Sequence, residues 1–161
     1  MKALSPKTRG RLEMQGYHGL DDAHLIEISP WVRVVPATLL GWTAVGTALG
    51  SPAVFWVLTP FALLGALPRH PLEAVYDRGL RHVLGTRALP ASGVPRRVAF
   101  ASLGLMLCGA GVAFALGHRT AGRLLGAVVL LSELIYLSTL LCPVSALLAL
   151  LRRAMRRQAA R

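Results

Sequence analysis

Four long apolar runs constrain this chain more than any other feature. They cover residues 34–49, 53–67, 98–117 and 124–141, and Glu133 is the one charged residue within them. A helix rises about 1.5 Å per residue, so a hydrocarbon layer of about 30 Å needs roughly 20 residues. The third and fourth runs have that length, whereas the second is short and contains Pro60, which favours a kinked or partly re-entrant helix. The pattern predicts an all-α, polytopic membrane protein with about four transmembrane helices.

The distribution of lysine and arginine predicts the topology. Of the 161 residues 54% are hydrophobic and 16% are charged, and the formal net charge is +11. If all four runs cross, 16 of the 18 cationic residues fall on one side, before the first run, between the second and third, and after the fourth; Arg119 and Arg123 fall on the other. Cytoplasmic loops collect Lys and Arg, so both ends are expected in the cytoplasm.

The chain divides into three predicted parts. Residues 1–30 are polar, contain no cleavable signal pattern, and form a cytoplasmic segment with a short surface helix that Asp21 would cap. Residues 31–151 form the membrane domain, and residues 152–161 form a basic cytoplasmic tail. Within the membrane domain, apolar residues recur at helical spacing over 71–84. This spacing predicts an amphipathic helix that begins at Pro71, ends at Gly85 and lies flat on the inner leaflet.

Glu133 is the first candidate functional residue. A carboxylate deep in a span costs about 2.5 to 3.5 kcal/mol, which the surrounding Leu, Ile and Val residues offset. It shares a helical stripe with Gly122, Gly126 and Tyr136, so it should face protein. Two interpretations stay open: a proton or cation relay, or a protonated carboxyl that is hydrogen-bonded to Thr38, Thr43, Ser102 or a backbone carbonyl.

Cys142 is the second candidate. Pro143 follows it and interrupts the helix, which would leave carbonyl groups beside a thiol near the cytoplasmic surface. Cys108 lies too far along the third span to pair with it and is interpreted as a small buried residue. Small residues at 101, 104, 108, 111 and 115, with the pairs Gly46 and Gly50 and Gly122 and Gly126, predict close helix packing, either within one chain or between copies.

Polar residues of the central loop and the basic segments complete the candidates. His70, Asp77, Arg78, Arg81 and His82 are poorly spaced for a metal and are interpreted as a solvated face with Asp77 paired to Arg81. Neither a metal nor another cofactor is predicted. The basic residues expected to face anionic inner-leaflet lipids are Arg96, Arg97, Arg152, Arg153, Arg156 and Arg157. Nucleic acid is excluded as a partner, since no recognition motif accompanies these charges.

The loop sequence from His70 to Thr86, followed by Pro95-Arg96-Arg97, resembles an uncharacterised bacterial integral membrane family, the domain of unknown function 4395. The resemblance covers roughly residues 15–151 and includes Tyr76 and a cysteine beside a proline in the last span. It implies about four membrane helices in the bacterial cytoplasmic (inner) membrane, no catalytic activity, and an association with thioredoxin-like or sulfur-handling proteins. Leu72 stands where the family has an aromatic residue, and Glu133 has no counterpart in its pattern.

Three functions follow as hypotheses. No nucleophile–base pair, phosphate loop or cofactor motif is present, which favours a noncatalytic membrane scaffold or interaction protein that holds the loop helix and tail for a protein partner. A small oligomeric transporter that uses Glu133 is the second hypothesis. A membrane thiol or sulfur-handling protein that uses Cys142 is the third.

Overall fold

The protein is described by a computed structural model that covers residues 4–159, without the side chains of 152–154, 156 and 159. The regular secondary structure of these residues is entirely helical, with no strand among them. Nine α-helices are present: α1 (Pro6–Met14), α2 (Asp22–Ile28), α3 (Val34–Leu49), α4 (Pro52–Leu63), α5 (Pro71–Val75), α6 (Arg81–Leu84), α7 (Val94–Ala115), α8 (Arg119–Thr139) and α9 (Pro143–Ala159). The predicted all-α class is confirmed.

Three helical segments are long and apolar enough to cross a membrane: Trp31–Leu49, Val94–Ala115 and Arg119–Thr139. The second apolar run forms α4 with Pro60 inside it and ends in the tight turn Leu64–Ala66. This segment and the following helix Pro71–Leu84 together reach the length of a span, but they meet at a bend of 66°. The described chain therefore has three to four candidate spans.

Helices α3, α4, α7 and α8 pack in a ring, each against two neighbours. Their core includes Leu39, Leu107, Val129 and a stacked pair of rings, Phe55 and Phe114, whose centroids are 5.4 Å apart. Large apolar side chains also cover the outside; Leu49 is 73% exposed and Val57 and Leu105 are each 70% exposed. Soluble proteins do not expose apolar surface on this scale, whereas lipid covers it at no cost.

Small residues bring these helices together within one chain. Gly104 and Gly111 of α7 lie against Leu63 and Phe55 of α4, where an added Cβ would overlap the neighbouring side chain. On α8, Gly122 lies against Phe114, and Gly126 contacts Thr47. Of the predicted stripe on α7, Ala101 and Cys108 are half-buried and Ala115 is exposed, so the glycines carry the contact. The close packing is therefore intramolecular.

A second core closes one end of the bundle. We call this region the cap; it consists of α1, α2, the loop helix 71–84 and residues 86–93, packed on the ends of α8 and α9. Its buried members are Leu12, Tyr17, Leu25, Ile28, Val32, Tyr76, Leu89, Tyr136 and Leu140. The loop helix is continuous through a π-helical turn at Tyr76–Leu80, begins behind the N-cap His70 and ends at Gly85 in a left-handed conformation. The cap encloses the polar residues described next.

Candidate functional site

A buried ion pair lies where the cap meets the bundle. The Arg96 Nη1 atom is 2.6 Å from Oε1 of Glu73, and the two side chains are only 4% and 5% exposed. Nη1 also donates to the Ser92 hydroxyl at 2.6 Å. The guanidinium carbon lies 5.2 Å from the Phe100 ring centroid and 6.0 Å from that of Tyr17. The Nη2 atom has no hydrogen-bond partner in the described part of the chain.

This arrangement corrects one prediction from the sequence. Arg96 was expected to face lipid as part of a basic exit from the loop, but it is buried and neutralised by Glu73. The physical reason is its position in the first turn of α7, directly beneath the loop helix, where an acid three residues after His70 is within reach. Arg97 is half-buried, and its Nε donates to the Ala66 carbonyl at 2.6 Å.

His70 is also buried, contrary to the predicted solvated face. Its Nδ1 accepts from the Leu72 backbone N–H at 3.2 Å, and its Nε2 lies 3.1 Å from the Phe61 carbonyl. Glu73 completes a capping box by accepting from the His70 backbone N–H. Burial lowers the pKa of His70, which keeps the ring neutral. His70 therefore caps the loop helix and ties it to the end of α4.

The predicted pair between Asp77 and Arg81 is wrong as a side-chain pair. The Arg81 Nε donates to the backbone carbonyl of Asp77 at 2.6 Å, one helical turn earlier. The buried Asp77 carboxylate instead accepts from the Leu89 backbone N–H at 2.8 Å and lies 3.5 Å from Arg69. It thereby holds the irregular linker 86–93 against the loop helix.

Tyr76 and His82 occupy different environments. Tyr76 is buried, and its hydroxyl is 2.5 Å from the Thr86 hydroxyl. The centroid of its ring lies 4.4 Å from that of the Trp31 ring. His82 is exposed, as is Arg78. The apolar residues of the loop helix are on its open face, and Val75 and Val83 are 67% and 84% exposed. The two acids of this helix, Glu73 and Asp77, thus face the protein, whereas its open face carries both apolar residues and the polar Arg78 and His82.

The N-terminal segment is bonded to the end of α8. Helix α8 ends at Leu140, which has a left-handed conformation with φ of 56°. Arg11 donates to the Thr139 carbonyl at 2.6 Å, and Gln15 donates to the Leu140 carbonyl at 2.8 Å. The Tyr136 hydroxyl donates back to Gln15 at 2.9 Å. The carbonyls expected to lie open beside Cys142 are thus partly occupied.

Glu133 and Cys142 line a single cavity of about 70 Å³ between α7, α8 and the start of α9. Its polar lining includes Arg96, Gln15 and Tyr136, and its apolar lining includes Phe100, Leu103 and Met106. Glu133 is buried on the predicted stripe. Among the described residues, Glu133 forms no hydrogen bond with Thr38, Thr43, Ser102 or a backbone carbonyl. The Thr38 hydroxyl donates to the Val34 carbonyl instead, and the Thr43 hydroxyl has no partner.

The structure thus joins some candidates and separates others. Glu133, Cys142 and Arg96 share the cavity, and His70 reaches the same cluster through Glu73, whereas Tyr76, Asp77, Arg81 and His82 belong to the loop helix and its linker. Both cysteines are free thiols. Arg157 is exposed, while the side chains of Arg152, Arg153 and Arg156 lie outside the described residues. No group of three metal-binding side chains occurs within residues 4–159.

Reasoning from the sequence missed four residues of this site: Gln15, Tyr17, Glu73 and Ser92. Glu73 had a readable signal, because an acid three residues after an N-cap is typical of a capping box. Gln15 and Tyr17 have none, since they meet Tyr136 and Arg96 only through the folding of the N-terminal segment. Ser92 lies four residues before Arg96, so its contact is local, but nothing in the loop sequence marks it as buried. Burial raises the pKa of Tyr17 to about 12, so its hydroxyl is neutral beside the ion pair.

Comparison of the chain with protein-family models, with curated proteins and with solved structures found no match. The resemblance to the family with a domain of unknown function stays a prediction. The assignment of function consequently depends on the cap, the ion pair and the cavity.

Proposed function

We propose that this protein is a noncatalytic integral membrane scaffold of the bacterial cytoplasmic membrane. It has four spans, with α4 as the short second one, and places both termini and the cap in the cytoplasm. The arginine distribution supports this orientation, because 16 of the 18 Lys and Arg residues then belong to cytoplasmic segments. The exposed apolar side of the loop helix lies against the inner leaflet, and neighbouring Arg78 and Arg97 attract anionic lipid head groups.

One observation carries the scaffold assignment: the cap is fixed to the bundle by buried polar contacts. The Glu73–Arg96 pair joins the loop helix to α7, while Arg11 and Gln15 join the N-terminal segment to α8. A typical neutral hydrogen bond of this kind contributes about 0.5–1.5 kcal/mol to stability, and one to a charged group about 1.5–3 kcal/mol. A rigid, membrane-anchored platform is suited to holding a partner protein.

Transport by one chain is less well supported. Glu133 lies in the cavity at the cap end, whereas the rest of the bundle is filled by tightly packed side chains, including the stacked Phe55 and Phe114. Thiol chemistry is the second candidate, because Cys142 is a free thiol that lines the same cavity as Arg96. A homo-oligomer, or a complex with a thioredoxin-like or sulfur-handling partner, is compatible with both the scaffold and thiol chemistry.

The test is site-specific photocrosslinking in intact membranes. A photoreactive amino acid is placed at the exposed cap positions Lys7 and His18, and at Thr120 at the opposite end of the bundle as the matched control. A scaffold should yield the same discrete protein adduct from both cap positions and none from Thr120. Adducts only with lipid at all three positions, at normal membrane abundance, would contradict the proposal.

A further inference from the structure

In the proposed topology, on which this inference rests, the cavity beside Arg96 and Glu133 lies at the level where lipid head groups meet acyl chains. Arg96 is the third residue of α7, and Glu133 is six residues from the end of α8, a rise of about 9 Å. A head-group layer is about 5–8 Å thick on each side of the hydrocarbon core. The cavity wall continues along α7 with apolar side chains, Phe100, Leu103 and Met106. A polar floor with an apolar wall suits an amphiphile from the membrane.

Two residues that line the cavity have unused binding capacity. The Arg96 side chain is only 4% exposed, and its Nη2 atom has no hydrogen-bond partner among the described residues. Glu133 is 6% exposed, and its carboxyl forms no ion pair within residues 4–159. A volume of about 70 Å³ holds about five water-sized groups, which is the size of a small head group.

The charges select the class of ligand. Glu73 already balances the Arg96 guanidinium at 2.6 Å, so an anionic ligand would add a second negative charge beside Glu133. A ligand with a phosphate and an ammonium group adds no net charge, and it offers an acceptor to Nη2 and a cation to the carboxylate. Both bonds are charge-assisted, the strong class of hydrogen bond.

We propose that this cavity binds the head group of a zwitterionic aminophospholipid. The phosphate accepts from Arg96 Nη2, the primary ammonium donates to Glu133, and the acyl chains follow the apolar wall of α7. A choline lipid fits less well, because its quaternary ammonium cannot donate a hydrogen bond. The lipid is a structural ligand that occupies the cavity between α7, α8 and the start of α9, and no chemical step is involved.

The experiment measures retained lipid by native mass spectrometry. The full chain is released from nanodiscs that contain equal amounts of ethanolamine, glycerol and choline phospholipids. We expect the ethanolamine lipid adduct to exceed the other two by at least about tenfold, the effect of one charged hydrogen bond. Glu133→Gln should abolish this preference. Glu13→Gln, which removes a carboxyl of α1 that does not line the cavity, should leave it unchanged.

A second variant guards against a folding defect in Glu133→Gln. Ala99→Leu fills the cavity without altering charge and should reduce the amount of all three lipids retained there. Equal retention of the three lipids by the wild type, a preference for the glycerol lipid, or an unchanged preference in Glu133→Gln would overturn the proposal. Displacement of the lipid by free phosphoethanolamine at equal concentration would overturn the assignment to a lipid.

Discussion

The backbone of Gly16 crosses the backbone of Gly93 at the closest approach between the N-terminal segment and the linker before α7. A Cβ on Gly16 would lie 2.5 Å from the Gly93 Cα, and one on Gly93 would lie 2.6 Å from the Gln15 carbonyl oxygen. Gly16 also has a φ of +104°, which L-residues rarely adopt. This crossing brings Gln15 and Tyr17 beside the buried cluster around Arg96.

Gly93→Ala should therefore loosen the cap. The φ of Gly93 is −67°, so alanine meets no backbone penalty and the cost is the steric overlap with residues 15 and 16. We expect a loss of about 1–3 kcal/mol in stability, as for other overpacked sites. Thermal unfolding in detergent measures it, together with proteolysis at Lys7 and Arg9. Gly79→Ala is the control, because its Cβ would meet nothing within 4 Å; equal behaviour of the two variants would refute the crossing.

Glu73→Gln should destabilise the protein far more than an equivalent change at the surface. Removing one partner of a buried pair costs about 3–5 kcal/mol, because the remaining charge is left unpaired. The control is Glu13→Gln, whose pair with Arg9 is 42% and 39% exposed and is expected to contribute at most about 1 kcal/mol. Chemical denaturation of both variants in the same detergent compares them. A loss at Glu73 no larger than that at Glu13 would contradict a buried pair.

Mild acid should weaken the attachment of the cap through His70. The folded protein lowers the pKa of this ring below its usual value of 6.5, because burial disfavours the charged form. The stabilising contribution is thus complete above the unfolded pKa of 6.5, and it is lost as the pH falls from 6.5 through the lower pKa of the folded protein. A protonated Nδ1 cannot accept from Leu72, and neighbouring Arg96 repels the new charge while Glu73 attracts it.

The measurement for His70 is the melting temperature between pH 7.5 and pH 5, a range about the usual histidine pKa. We expect wild-type stability to fall more steeply with acidification than that of His70→Asn, since asparagine retains the N-cap acceptor without titrating. His82→Asn is the matched control, because His82 is exposed on the same helix. Parallel curves for the wild type and His70→Asn would show that protonation of this ring is irrelevant.

The four-span topology predicts a pattern of thiol labelling. In a variant without Cys108 and Cys142, single cysteines at Ser51 and Thr120 should react with an impermeant reagent added outside the cell. Cysteines at His82 and Arg157, which are exposed in the structure, should react only after the membrane is permeabilised. Labelling of His82 from outside would exclude the proposed orientation and would favour a re-entrant α4.

Cys142→Ser distinguishes the scaffold from thiol chemistry. If Cys142 only lines the cavity, the variant should keep wild-type membrane abundance and complement a deletion strain, because serine is close in size. Cys108→Ser controls for the loss of any thiol. A Cys142→Ser protein that is abundant but inactive, beside an active Cys108→Ser protein, would make thiol chemistry the leading function.

The amino-acid sequence by itself determined the features that depend on local pattern. The apolar runs determined the helical membrane class, the arginine distribution supports the predicted orientation, and Pro71 and Gly85 correctly marked the ends of the loop helix. Periodicity also indicated the buried stripe of α8 that contains Gly122, Gly126 and Glu133. These features are readable because the neighbours along one helix decide them.

The tertiary structure alone decided which polar groups are buried together. Arg96 reads as one more arginine of a basic loop until the loop helix folds over α7 and brings Glu73 to 2.6 Å. Gln15 and Leu140 are 125 residues apart, and their bond exists only because the N-terminal segment crosses the linker at Gly93. Hydrophobic pattern shows which side of a helix avoids water, but the partner of a buried charge depends on distances between elements, which pattern does not contain.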